Sequence, residues 1–213
     1  VLALTGCVAI PTSSGVVDGR LIDDSDNAGI VVVPSGPRAG STQEELLADF
    51  LQALRGPQGG YATARQFLTV NFSQNWDPDA SALIRSGPGT IAAAGDNTLS
   101  YTFASRASVN QFGQYSEGPP ATQSMEFQFV KVGEEWRISH APAGVVLSQS
   151  SFDVAFRQRS LYFFDPSHRY LVPDVRWFPS RPTDAVRVVQ ALLLGPSDWL
   201  GHGAVLTAFP AST

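Results

Sequence analysis

Apolar residues recur at two different spacings along this chain. Between positions 41 and 69 the spacing is that of a helix: Leu46, Leu47, Phe50, Leu51 and Leu54 follow a 3.6-residue period,. Ser41-Thr42-Gln43-Glu44 forms a capping box ahead of that run, and Thr42 with Glu45 repeats it one residue later,. Gly56-Pro57 ends the helix,. Tyr61, Ala64, Arg65 and Leu68, with Phe67 beside them, predict a second helix ending near Thr69, and polar turn residues surround Trp76-Asp77-Pro78. The period then falls to two. Leu99, Tyr101 and Phe103 alternate with Thr or Ser, and Met125, Phe127 and Phe129 alternate with Glu and Gln,. Gly133-Glu134-Glu135 turns the chain, and Trp136 and Ile138 alternate once more before Pro142. Helices followed by an antiparallel sheet with one apolar face give an α+β domain over residues 41–149.

A second unit is expected over residues 150–213. Phe152 and Phe156 lie one helical turn apart, and Leu161-Tyr162-Phe163-Phe164 reads as a buried strand closed by Asp165-Pro166. Tyr170-Leu171-Val172-Pro173 and Val175-Arg176-Trp177-Phe178 read as two further strands. Pro182-Thr183-Asp184 opens a helix carrying Val186, Val189, Leu192 and Leu193, which Gly195-Pro196 terminates, and Ala204-Val205-Leu206-Thr207 begins another strand,. So short a unit buries little on its own. The expectation is a domain of which only the first part is present.

The first 40 residues differ from both units. The sole Cys in the chain, Cys7, follows the apolar run Val1-Leu2-Ala3-Leu4-Thr5-Gly6. Leu4-Thr5-Gly6-Cys7 resembles a lipobox, the end of a bacterial lipoprotein signal peptide, so residues 1–7 read as a signal-peptide remnant. A peptidase cutting at the membrane face needs an apolar anchor, here Leu4, with Thr5 and then the small Gly6 before the Cys. Cys7 would then carry acyl chains such as palmitate. Each buried methylene contributes about 0.8 kcal/mol, so two or more chains hold a protein on a bilayer. No stretch approaches the roughly 20 apolar residues that span one. Residues 8–40 read as a tether, with Pro11, Ser13-Ser14-Gly15, Asp23-Asp24-Ser25-Asp26, Pro34 and Pro37. It would reach about 110 Å fully extended and roughly 30 Å as a coil. Ile30-Val31-Val32-Val33 is too apolar for a free linker and is expected to dock as an edge strand stopped by Pro34,.

Composition narrows the chemistry. Of 213 residues 15% are charged, the formal net charge is −5, and Lys131 is the only lysine. Nucleic acid, which rewards clustered Lys and Arg with counterion release, is therefore not an expected partner. One Cys forms no internal disulfide. Gly87-Pro88-Gly89-Thr90-Ile91-Ala92 fits a phosphate fingerprint only on paper, because Pro88 lacks an amide donor and no strand pattern precedes it,. Asp24, Asp26 and Gly29 hint at a calcium loop, but Ala28 and Ser35 stand where ligands belong,. His140, His168 and His202 have no metal spacing, and no nucleophile elbow occurs,. Asp77 and Asp79 flank Pro78, which suits a turn better than a catalytic pair. Tyr61 and Tyr101 read as core aromatics,. Trp76, Trp136, Trp177 and Trp199 read as core or interface residues,. No catalytic residue, cofactor or metal site is assigned, and the chain is not expected to be an enzyme.

Two resemblances add to this reading. Helices first, then a curved sheet finishing in Glu135-Trp136-Arg137-Ile138, resembles the cone-shaped NTF2-like fold. Only that resemblance implies that Tyr61, Tyr101 and Asp77 could face a cavity. Across the whole chain several segments resemble the LpqB family of actinobacterial lipoproteins. They are Leu4-Thr5-Gly6-Cys7, Pro34-Ser35-Gly36-Pro37, Phe50-Leu51-Gln52-Ala53, Ala64-Arg65-Gln66-Phe67-Leu68-Thr69 and Trp76-Asp77-Pro78. Leu161 to Pro166, Leu171 to Arg176 and Leu192-Leu193-Leu194-Gly195-Pro196-Ser197 are similar to the start of a GerM-type domain. The resemblance implies a lipoprotein on the extracytoplasmic face of the cell membrane that acts by contact. Its implied partner is the extracellular domain of the MtrB sensor kinase, in the MtrA–MtrB two-component system that affects envelope growth and cell division. It also implies a C-terminal β-propeller beyond this sequence. No partner-contacting residue can be carried over. Two alternatives stand beside it: a small-ligand binder built on the cone, which needs a roomy cavity with convergent polar groups, and a cell-wall glycan binder.

Overall fold

The computed structural model describes residues 34–182, 184–200, 203–207 and 209. Leu4, Thr5, Gly6 and Cys7, most of the tether with Ile30–Val33, and His202 lie outside the described residues. Three helices come first: α1 (Gln43–Ala53), α2 (Gln58–Arg65) and α3 (Val70–Asn75). They are followed by β1 (Ser81–Arg85), β2 (Thr90–Gly95), β3 (Thr98–Asn110), β4 (Tyr115–Val132), β5 (Glu135–His140) and β6 (Val145–Ser148). Then come α4 (Gln149–Ala155), the hairpin β7 (Phe156–Phe164) and β8 (Leu171–Pro179), α5 (Asp184–Leu194) and a 3-10 turn at Asp198–Leu200.

The fold is α+β, with helices packed on a curled six-stranded sheet. Strand order is β5-β4-β3-β1-β6, and β2 pairs with β3 beyond the end of β1. The pairings are antiparallel except that of β1 with β6. Register shifts at Ile84/Arg85, Ser105/Ala107 and Gln128/Phe129 bend the strands, as bulges do,. Alternation along β3 sends Leu99, Tyr101, Phe103, Ala107 and Val109 to the buried face.

Of the two expected capping boxes, that of Thr42 with Glu45 forms. The Thr42 hydroxyl accepts from the Glu45 amide at 3.2 Å, and the Glu45 carboxylate accepts from the Thr42 amide at 2.9 Å. The helix it starts buries Leu46, Leu47, Phe50 and Ala53. Phe50 stands among the rings of Phe67, Trp76 and Phe127 at centroid distances of 6.1, 5.7 and 6.1 Å. Aromatic and aliphatic side chains thus fill the space between the helices and the sheet, each large one contributing about 1.5–3 kcal/mol by burial,.

The second helix is not regular. Gly59, Gly60 and Tyr61 are all left-handed, Tyr61 at φ 64°, an uncommon conformation for a residue with a Cβ,. Arg65 holds the turn together. Its Nε donates to the Gly60 carbonyl at 2.8 Å and Nη2 to that of Trp76 at 3.2 Å, Nη1 reaches the Ser73 carbonyl, and the guanidinium lies 5.4 Å from the Trp76 ring. The third helix has no apolar period and buries none of its residues; the Thr69 hydroxyl caps it by accepting from the Phe72 amide.

Four sequence expectations change at the level of elements. A strand, β1, does precede Gly87-Pro88-Gly89, but the loop leads into β2 and not a helix, so no helix N-terminus faces it. Phe152 and Phe156 do not share a helix: α4 ends at Ala155, Phe156 opens β7, and the two rings stack at 4.8 Å. The segments on either side of Asp174 are one strand, β8, which tolerates Pro173 because its sheet has only two strands,. Leu206 makes a single antiparallel bridge to Phe164.

The described residues form two apolar clusters. The larger extends past residue 150 to take in Phe152, Ala155 and Phe156. The smaller consists of Leu161, Phe163, Phe178, Ala191, Leu200 and Val205.

Candidate functional site

A cleft of about 220 Å³ opens where the solvent side of α1, the β1–β2 loop, β3 and the β6–α4 junction meet. Arg55, just past the end of α1, donates from Nε to the Gln52 carbonyl at 3.2 Å. Arg85, the last residue of β1, donates from Nη1 to the Gly87 carbonyl. Ser148 caps α4, its hydroxyl accepting from the Ser151 amide at 3.2 Å and lying 2.8 Å from the Ser151 hydroxyl. Leu51, Ile91 and Val146 form the apolar wall, and among the described residues no carboxylate lines the cleft.

Tyr101 reaches the cleft from the buried face of β3. Burial pushes its hydroxyl above the ordinary tyrosine pKa, while the Arg85 charge and the Gly89 amide pull it back. The phenol is therefore neutral and able to donate near neutral pH. Gly89 presses against this ring: a Cβ there would come within 2.3 Å of two ring carbons. Only glycine fits that approach.

The structure does not bring Tyr61, Tyr101 and Asp77 together. Tyr61 is fully buried beneath Trp76, edge-on at 6.2 Å. Asp77 is exposed and makes the expected turn, accepting from the Asp79 amide at 2.9 Å. His140 packs against Phe72, and His168 adopts a left-handed conformation in the β7–β8 turn. Among the described residues, no group of three His, Cys, Asp or Glu side chains is placed to hold a metal.

Charged residues that sequence reasoning passed over join the hairpin to the sheet. Arg176 and Asp174 point to the same side of β8, and neither side chain is exposed. Arg176 Nη2 donates to Asp174 at 2.7 Å and to the Gly195 carbonyl at 3.0 Å, and Nη1 donates to the Phe112 carbonyl in the β3–β4 turn at 3.0 Å. Asp174 also accepts from the amide and hydroxyl of Ser197 at 2.8 and 2.9 Å. Asp79 receives both Arg181 and Arg187, the latter at 2.9 Å. Two main-chain bonds run alongside, from the Trp177 amide to the Gly113 carbonyl at 2.8 Å and from the Ser180 amide to the Ala155 carbonyl at 2.7 Å. A faint pointer was present in the sequence: Asp174 and Arg176, two apart on a strand, must share a face.

Comparison with known proteins places this architecture. A family model described as the lipoprotein LpqB N-terminal domain matches residues 36–153. A lipoprotein LpqB from Nocardia farcinica is 35% identical over 96% of this chain and 33% of its own length. One from Rhodococcus jostii is 33% identical over 92% of the chain and 33% of its own length. One from Thermobifida fusca is 29% identical over 99% of the chain and 36% of its own length. The chain thus spans about a third of the length of these relatives. No solved structure matches. With the N-terminal domain matched over more than half of its residues, the chain belongs to the lipoprotein LpqB family.

Proposed function

We propose that this chain works outside the cytoplasmic membrane, held there by lipid on Cys7. It acts by protein contact and not by catalysis, modulating the extracellular domain of an MtrB-like sensor kinase and, through the MtrA–MtrB system, envelope growth and cell division. The observation that carries this reading is Leu4-Thr5-Gly6-Cys7, with its sole cysteine, in a member of a family of named lipoproteins. Among the described residues no helix is long and apolar enough to cross a membrane, which suits an anchor made of lipid,. The β7–β8 hairpin with α5 is read as the opening of a GerM-type domain.

The test uses the protein expressed from its natural precursor in an actinobacterial host. Cys7→Ala is expected to move it from the membrane to the soluble fraction at high salt, and mass spectrometry of the native form should find acyl chains on Cys7. In-cell crosslinking should then capture a sensor kinase. A Cys7→Ala protein that stays with the membrane, or crosslinks that report only wall polymer, would overturn the reading.

A further inference from the structure

We propose that the cleft beside Tyr101 is a binding site for a small organic anion. A carboxylate or phosphate head would sit between Arg55 and Arg85, with a short apolar arm against Leu51, Ile91 and Val146. The inference goes beyond the contact role and does not depend on it.

Charge carries the argument. Arg38, Arg106, Arg176, Arg181 and Arg187 each pair with an acidic side chain. Arg55 and Arg85, like Arg65, Arg137, Arg157, Arg159 and Arg169, form no ion pair among the described residues, but these two line one hollow, and each guanidinium makes one bond, to a backbone carbonyl. Acidic residues outnumber basic ones 19 to 14 in this protein, yet two half-buried guanidinium groups line one hollow in which no carboxylate stands among the described residues. Their charges repel across the hollow, and an anion between them turns that repulsion into attraction. Guanidinium presents planar, paired donors that match the two oxygens of a carboxylate or phosphate.

The remaining polar groups fit the same ligand. The Tyr101 and Ser151 hydroxyls are at hand to donate to further oxygens, and the glycine contact at position 89 keeps the phenol in place. The volume sets the size. At about 220 Å³ it falls below the roughly 300–1,000 Å³ of drug-sized sites, which favours a short-chain ligand over a nucleotide,. The groove beside Asp79 is a weaker candidate, since Arg181 and Arg187 already occupy its carboxylate.

The test is titration of the full chain with hexanoate and with hexyl phosphate, followed by backbone amide shifts, with hexan-1-ol as the uncharged control. Saturable shifts are expected at Gly87, Gly89, Ser148 and Ser151 with at least one anion, and which anion binds tells carboxylate from phosphate. Arg55→Gln and Arg85→Gln should each weaken binding about tenfold or more, the usual weight of a charge-assisted bond. Arg85 also holds the Gly87 carbonyl, so Arg55→Gln, at the solvent-facing end of α1, carries the test if Arg85→Gln disturbs the fold. Absence of saturable shifts with both anions, equal binding of hexan-1-ol, or unchanged affinity in Arg55→Gln would overturn the proposal.

Discussion

The sheet domain closes over a cluster of aromatic rings, whereas the hairpin unit closes over an ion pair. In the first, Phe50, Phe67, Trp76 and Phe127 meet ring to ring, with the Arg65 guanidinium lying against Trp76 alone. In the second, the largest fully buried side chain is Arg176, beside a cluster of only six buried apolar residues. The difference teaches how a small unit is held. Ring packing is non-directional and tolerates exchange of shape for shape, while a buried guanidinium is stable only if its partners are all present. Arg176 takes partners from β8 itself, from Gly195 and from the β3–β4 turn, so the small unit depends on the large one for part of its interior.

Breaking the ion pair should have the largest effect. Arg176→Ala leaves Asp174 buried without its counter-charge and is expected to cost about 3–5 kcal/mol. In hydrogen exchange, β7 and β8 should lose protection while β3 and β4 keep theirs. Loss in both would show that the two regions unfold as one. The double variant Asp174→Leu with Arg176→Met should recover only part of that stability, because it removes the lone buried charge but leaves Ser197 and the Phe112 and Gly195 carbonyls without their partners,.

Gly113→Ala attacks the same joint through the backbone. Gly113 has φ 79°, and a Cβ there would lie 2.9 Å from the Trp177 carbonyl oxygen and 3.0 Å from the Phe178 ring. A loss of about 1–3 kcal/mol is expected in denaturant unfolding. An unchanged midpoint would mean that the hairpin moves aside freely. Asp79→Asn is expected to cost a comparable amount, about 1–3 kcal/mol, because its pairs with Arg181 and Arg187 are largely but not fully buried,.

The smallest effect concerns pH. Asp165 is held at a pKa of about 2, first by the Ser167 hydroxyl and then by the Tyr170 amide, with those of Arg169 and Ser167 adding to it. A depressed carboxylate stabilises the fold above its unfolded pKa near 3.8, and this contribution disappears as pH falls through about 2,. The Arg169 and Tyr170 amide shifts should titrate with that midpoint and leave β3 and β4 untouched. A midpoint near 4 would remove the turn from the list of stabilising features.

What could be read from the sequence was whatever repeats locally. The Thr42–Glu45 box, the α1 stripe and the alternation along β3 and β4 are all short-range patterns. The third helix escaped because its stability comes from the Thr69 cap and from neighbours, not from a stripe. The single β8 escaped because Pro173 reads as a breaker, and only the two-stranded sheet makes it harmless. Arg176 escaped because arginine is ordinarily a surface residue, and its carbonyl partners at 112 and 195 are set by tertiary contact,. The cleft escaped for the same reason: residues 55, 85, 101 and 148 have no common spacing.

The hairpin's mounting has an evolutionary consequence. Two of its ties, Trp177 to Gly113 and Ser180 to Ala155, join peptide groups. No exchange of one side chain for another deletes a peptide group, so these two ties survive substitution at 177 and 180, although the Trp177 ring adds its own contacts to Phe152 and Tyr115. Proline alone, lacking the amide hydrogen, would sever either tie. Relatives should therefore avoid that one residue at both positions, while drift at 177 is held in check by the packing of its ring on Phe152 and Tyr115.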